Sequence, residues 1–79
     1  MAYRNLITFE HLPKLDMFMV ENGWDRVPTK GLYEERRYVK KGFAPVILYA
    51  RTEAKMHTSI MDRDIPLMRR FLAWNSNNG

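Results

Sequence analysis

Apolar residues recur at helical spacing in two separate segments of the chain. The first segment, 13–22, begins with proline, which suits a first helical turn because its missing N–H would have no partner there. It ends at Asn22-Gly23, a pair typical of a helix C-terminus, after which Trp24 can pack back onto the helix. The second segment begins within 62–64, where either aspartate can cap a helix, and then carries an apolar stripe. The pattern predicts one helix in each half of the chain.

Between these helices, β-branched, aromatic and large apolar residues predict three strands. The strongest run is 46–52, whose Val-Ile-Leu-Tyr start is typical of a central strand. We expect a strand before it at 32–39, with a turn at 40–42, and a shorter strand after it at 56–61. Residues 25–31 contain proline and glycine and are expected to form a loop. The predicted fold class is α+β: a helix, a three-stranded antiparallel β-meander, and a C-terminal helix packed on one face of the sheet.

The composition is that of one small domain. The chain has 79 residues and no cysteine, so it has neither disulfides nor thiolate metal ligands. We expect a single domain over 1–74 and a flexible polar tail over 75–79. The apolar stretches fall far short of the roughly 20 residues needed to cross a bilayer, and the start lacks the apolar core of a secretory signal. A cytoplasmic protein with no membrane partner is expected, and a homodimer is an open alternative because a small core gains from association.

Positive charge is concentrated in the middle of the chain. The formal net charge is +4, yet residues 26–55 alone carry eight lysines and arginines against three glutamates. Such asymmetry favours acidic partners. Alternation along the predicted strand 32–39 leaves neither face apolar, because each face has a carboxylate and a guanidinium in its middle. This pattern is typical of an edge strand whose charges discourage pairing with other chains.

The alternative hypothesis for this strand is a contact surface, because tyrosine beside arginine offers a π face and a planar cation. These residue types are enriched at protein–protein hot spots. Partner binding is then expected through Tyr33, Arg36, Arg37, Tyr38, Lys40 and Lys41. The same chemistry also stacks on bases and binds phosphates. Nucleic-acid binding would use Arg36, Arg37, Lys40, Lys41, Arg51 and Lys55. Since two glutamates interrupt the positive track, a specific protein interface is favoured.

One short motif carries enzymatic chemistry. Glu53-Ala54-Lys55 has the Glu-x-Lys spacing of metal-dependent nucleases, in which two acidic groups hold Mg²⁺ and a lysine lies near the attacking water. The second acid would be Glu34, Glu35 or Asp25. The tripeptide is common, and such a motif counts only in its structural context. The two histidines, His11 and His57, lack paired metal spacing. We therefore expect a non-enzyme without metal or cofactor.

Four short stretches resemble small accessory proteins of unknown function encoded by bacteriophages. They are Tyr33-Glu34-x-x-Arg37-Tyr38, residues 47–51, residues 57–60 and Arg70-Phe71-Leu72. The resemblance implies a protein made early in infection that binds and modifies or blocks a host factor, such as a nucleic-acid enzyme or a defence complex, in the host cytoplasm. The expected function is inhibition or modulation of a host protein or nucleoprotein complex. Direct nucleic-acid binding is the alternative, and metal-dependent nuclease activity is a remote one.

Overall fold

The computed structural model describes residues 3–50 and 57–78, with side chains over 7–50 and 58–77. Within these ranges the chain forms five strands and two α-helices. The strands are β1 (Tyr3–Thr8), β2 (Asp25–Val27), β3 (Glu34–Val39), β4 (Val46–Tyr49) and β5 (His57–Met61). The helices are α1 (Leu12–Glu21) and α2 (Ile65–Asn78), and a short 3-10 turn leads into each.

All five strands join one antiparallel sheet in the order β1-β5-β4-β3-β2. Strands β2 to β5 follow one another as a meander, and β1 pairs with β5 at the far edge. The Thr58 hydroxyl donates a hydrogen bond of 2.9 Å to the Ile7 carbonyl, which fastens β1 to its neighbour. The α+β class is confirmed, but the prediction of three strands is wrong because the sheet has two more.

The two missed strands are the two edges of the sheet. β2 is only three residues long, polar, and directly followed by Pro28, so its sequence indicates a loop. Backbone pairing with β3 makes this short segment an edge strand, although its side chains do not indicate one. The prediction that the charged strand lies at an edge is therefore also wrong, because β3 lies between β2 and β4.

Both helices pack on the same face of the sheet. Their apolar stripes and the inward residues of the strands form one buried cluster, which includes Ile7, Leu15, Phe18, Met19, Val46, Leu48, Ile60, Met68 and Phe71. The helices meet through aromatic rings, since Phe18 lies 5.6 Å from Phe71 and 5.5 Å from Trp74 between centroids. Each helix stabilises the other through this contact, as expected when a small sheet has only one covered face.

The predicted end of the first helix is confirmed. Gly23 adopts a positive φ of 88°, and the Trp24 N–H donates a hydrogen bond of 2.9 Å to the Met19 carbonyl. This geometry turns the chain back and buries the Trp24 ring against the core. Helix α2 continues through residues 75–78, which the sequence assigned to a flexible tail. Within the described ranges, neither helix has the length and apolar character that crossing a bilayer requires.

Candidate binding surfaces

One row of the predicted contact strand faces inward, beneath α1. Tyr38 is fully buried, and its hydroxyl donates a hydrogen bond of 2.6 Å to Asp16 Oδ1 on α1. The Arg36 guanidinium lies 3.2 Å from the same oxygen, and Arg26 Nη1 donates to Asp16 Oδ2 at 3.1 Å. Burial, together with the neighbouring carboxylate, raises the pKa of Tyr38 well above its ordinary value. This row fastens the helix to β2 and β3 and leaves Tyr38 out of reach of a partner.

Glu34 and Arg37 form the second ion pair on β3. Arg37 Nε and Nη2 donate to Glu34 Oε1 and Oε2 at 2.8 and 2.9 Å, which is a bidentate arrangement. Strict alternation would place these residues on opposite faces. The register of β3 against β4 shifts between Glu34 and Arg36, so Glu34 lies opposite Tyr49 and joins the face of Arg37. The sequence prediction that Glu34 shares a face with Arg36 is therefore wrong.

The same carboxylate also holds the loop that precedes β3. The backbone N–H groups of Lys30 and Gly31 donate to Glu34 at 3.2 and 2.8 Å. These bonds, and above all those from Arg37, lower the pKa of Glu34 from 4.5 to about 2. A β-carbon at position 31 would lie 2.7 Å from Glu34 Oε2, so a larger residue there would displace the Glu34 carboxylate from this position. We call Glu34, Arg37 and these two amides the Glu34 clamp.

The clamp presents two apolar side chains to solvent. Leu32 is 90% exposed and Tyr33 is 53% exposed at the tip of the loop formed by residues 28–33, which we call the presented loop. The Tyr33 carbonyl accepts a hydrogen bond of 2.7 Å from the Ala50 N–H, which fixes the C-terminal side of the loop against the end of β4. A large aliphatic side chain is thus held outward on an anchored backbone.

The opposite end of β3 carries the hairpin tip, residues 40–44. Gly42 adopts a positive φ of 86° and closes the turn. The Lys40 ammonium donates to the Asn22 carbonyl at 2.9 Å and lies over the rings of Trp24 and Phe43 at 5.8 and 5.1 Å. The two rings lie 5.7 Å apart, and Phe43 remains 62% exposed. Lys40 is therefore positioned by a backbone carbonyl and two aromatic rings.

An open cleft of about 420 Å³ lies between this tip and the start of α2. We call it the tip cleft. The residues that give it its chemistry are Trp24, Lys40, Phe43, Arg63, Asp64 and Arg70. Three of them are cations, two are aromatic, and Asp64 is a largely buried carboxylate. Arg63 donates to the Pro45 carbonyl at 3.0 Å, which connects the α2 side of the cleft to the hairpin.

The predicted site residues that the structure describes are thus distributed over four places. Arg36 and Tyr38 lie beneath α1, Arg37 lies in the Glu34 clamp, and Tyr33 lies on the presented loop. Lys40 and the exposed Lys41 lie at the hairpin tip, which β3 separates from the presented loop by about 20 Å. Arg51 and Lys55 lie outside the described residues. The sequence pattern did not indicate three further candidate contact residues, Leu32, Phe43 and Asp64. Two of them directly follow a glycine, Gly31 and Gly42, and this was the available signal for a turn that exposes an apolar side chain.

The catalytic hypothesis gains no support from the described part of the chain. The Glu53-Ala54-Lys55 motif lies outside it. Of the acids that could complete a magnesium site, Glu34 has both oxygens occupied by the clamp. Among residues 3–50 and 57–78, no group of three or more histidine or carboxylate side chains is arranged to hold a metal.

Comparisons with protein-family models, curated proteins and solved structures found no match for this chain.

Proposed function

We propose that this chain is a small non-catalytic protein that binds a protein partner by inserting Leu32 and Tyr33 into an apolar pocket on that partner. The observation that carries the proposal is the 90% exposure of Leu32 on a backbone fixed by the Glu34 clamp. A leucine that is 90% exposed buries almost none of its apolar surface within this domain. Its transfer to an apolar pocket is worth about 1.5–3 kcal/mol.

The anchoring of the presented loop supports the same proposal. Binding normally costs free energy for ordering the loops and side chains of an interface. The Glu34 clamp and the bond from Ala50 to Tyr33 order this loop before any partner arrives. Tyrosine adds a large contact area with few rotatable bonds, which is why it is enriched among hot-spot residues.

The distribution of charge on β3 favours a protein over nucleic acid as the target of this end of the molecule. The side chains of Arg36 and Arg37 are mostly buried and paired with carboxylates, so they do not form a continuous positive track for phosphates. The resemblance to phage accessory proteins suggests that the partner is a bacterial host protein or nucleoprotein complex. In that setting, occupation of a pocket on the partner would inhibit or modulate it in the host cytoplasm.

The test is a pull-down from bacterial lysate with the immobilised full chain, with and without nuclease treatment. Leu32→Ala is the test variant. Val20→Ala is the matched control, because Val20 is an aliphatic residue on α1 that is 61% exposed. We expect a stoichiometric protein with the wild-type chain and with the control, unaffected by nuclease, and at least about tenfold weaker binding of the purified protein to Leu32→Ala.

Two results would contradict the proposal. One is retention of the same protein by Leu32→Ala at undiminished affinity. The other is loss of all recovered protein after nuclease treatment, which would favour the alternative of direct nucleic-acid binding. That alternative finds its support at the opposite end of β3, where Lys40, Lys41 and the cations of α2 surround the exposed Phe43.

A further inference from the structure

The tip cleft has the size and lining of a ligand site. Its volume of about 420 Å³ falls in the range of small-molecule sites. Trp24 and Leu67 supply apolar wall, and the side chains of Lys40, Arg63 and Arg70 carry positive charge around it. Such a cleft suits a ligand with an apolar or aromatic middle and a negatively charged end.

Asp64 indicates that the ligand also carries a hydrogen-bond donor. It lies at the start of α2 and is only 8% exposed, and among the residues that the structure describes its Oδ2 atom has no hydrogen-bond partner. The Nε atom of Arg63 lies 3.9 Å from Oδ2, which is too far for a hydrogen bond. Burial raises the pKa of Asp64, and Arg63 opposes this shift to a lesser extent. A buried acceptor without a donor costs free energy. Because Oδ2 has almost no accessible surface, a small movement of the Asp64 side chain towards the cleft would bring it to a ligand N–H group, and the new hydrogen bond would remove that cost.

Phe43 supplies the planar surface between these two ends. Its ring is fixed by Trp24 at 5.7 Å and by the Lys40 ammonium at 5.1 Å, yet most of it is exposed. An exposed aromatic ring held in place beside cations is the arrangement on which nucleic-acid-binding proteins stack a base, at about 1–3 kcal/mol for each base. The Lys40 ammonium group lies beside this ring and can pair with a phosphate.

We propose that the tip cleft binds a nucleotide unit, with the base stacked on Phe43, a base N–H donated to Asp64, and the phosphate held by Lys40, Arg63 and Arg70. A ligand that fits the cleft needs three features together: an aromatic ring, a hydrogen-bond donor at the end that faces Asp64, and an anion at the opposite end. A free nucleotide and a unit of a single strand share this chemistry. The site is separate from the presented loop and does not depend on the partner proposed for Leu32.

The experiment follows the indole N–H signals of the ¹⁵N-labelled full chain during titration at low salt. Trp24 lines the cleft, whereas Trp74 packs against Phe18 and Phe71 in the core and serves as the internal control. The probes are the four ribonucleoside monophosphates, a single-stranded octanucleotide, inorganic phosphate, and an acidic peptide that contains one tryptophan. We expect a saturable shift of Trp24 with the nucleotides, with little change at Trp74.

Variants locate the site. Asp64→Ala, which removes the acceptor oxygens, and Arg70→Ala are each expected to weaken binding about tenfold. Arg69→Ala is the matched control, because Arg69 is an exposed neighbour on α2 that does not line the cleft. Thermal unfolding verifies that each variant is folded. Leu32→Ala should leave the titration unchanged, so that failure of this site and failure of the presented loop are distinguishable.

The outcomes separate the possible ligands. Tighter binding of the octanucleotide than of the monophosphates identifies a single strand as the source, and equal binding identifies a free nucleotide. The proposal is overturned if nucleotides produce no saturable shift, if inorganic phosphate alone produces the same shift, or if Arg69→Ala weakens binding as much as Arg70→Ala. It is also overturned if the acidic peptide binds more tightly than every nucleotide, since the cleft is then a peptide site.

Discussion

The two ends of β3 use their charged residues in opposite ways. At the presented loop, the Arg37 cation is bound by the Glu34 carboxylate, and what faces solvent is the apolar Leu32. At the hairpin tip, Lys40 is held by a carbonyl and two aromatic rings, none of which is a carboxylate. One end therefore presents an apolar side chain and the other a cation. Charge counted along the sequence does not distinguish them, because the partner of each cation is decided by the fold.

The largest effect is expected from the residue that holds the middle of β3 between these ends. Asp16→Ala leaves Arg36 and Tyr38 without their carboxylate partner beneath α1. We expect the free energy of unfolding to fall by about 3 kcal/mol, as in other cases where one member of a largely buried charge network is removed. Urea denaturation measures this loss. Glu21→Ala, an exposed acid on the same helix, is the control, and an equal loss in both variants would refute the role of Asp16.

The next largest effect is expected at the presented loop alone. Glu34→Gln weakens the clamp, since a neutral amide cannot hold the Arg37 guanidinium as a carboxylate does. We expect the Lys30 and Gly31 amides to exchange with solvent about tenfold faster, with little change at the amide of Phe43 in the hairpin tip. Hydrogen-exchange NMR resolves both ends in one experiment. Equal acceleration at Phe43 would mean that the two ends are not independent.

Acid should change the contributions of Glu34 and Asp64 to folding stability in opposite directions. The pKa of Glu34 falls from 4.5 to about 2 on folding, so the clamp contributes fully above pH 4.5 and its contribution is lost as the pH falls towards 2. The pKa of Asp64 is raised on folding, so protonation of Asp64 favours the folded state as the pH falls. We expect the thermal midpoint of Glu34→Gln to depend less on pH below 4.5 than that of the wild-type chain, and the midpoint of Asp64→Asn to depend more. Identical profiles for all three proteins would contradict both assignments.

The smallest effect on the free energy of unfolding is expected at the hairpin tip. Lys40→Ala removes the hydrogen bond to Asn22 and the cation from the two rings, and we expect a loss of about 1 kcal/mol in the free energy of unfolding. Lys41→Ala should change this free energy by less than about 0.5 kcal/mol, because Lys41 is exposed. The difference between these adjacent lysines, measured by thermal denaturation, tests whether Lys40 is positioned by the fold.

Part of the candidate sites could be predicted from the sequence. Tyr33, Lys40 and Lys41 were predicted as contact residues, and they remain at the surface or beside the tip cleft. Tyr38 could not be assigned correctly, because its partner Asp16 is 22 positions away and on a helix. The Glu34 clamp could not be predicted either, because a register shift of one residue brings Glu34 and Arg37 to one face of the sheet.

By itself, the sequence determined the class of the fold and the local features that short-range physics controls. Helical periodicity placed α1 and α2, the Asn22-Gly23 pair ended α1, and the apolar run at 46–49 marked a central strand. The tertiary structure decided the rest: the two edge strands that pair with β5 and β3, the inward direction of the charged row on β3, and the meeting of Trp24, Phe43 and Asp64 around one cleft. Propensity and periodicity act over a few neighbouring residues, whereas ion pairs, strand register and clefts depend on which distant segments pack together.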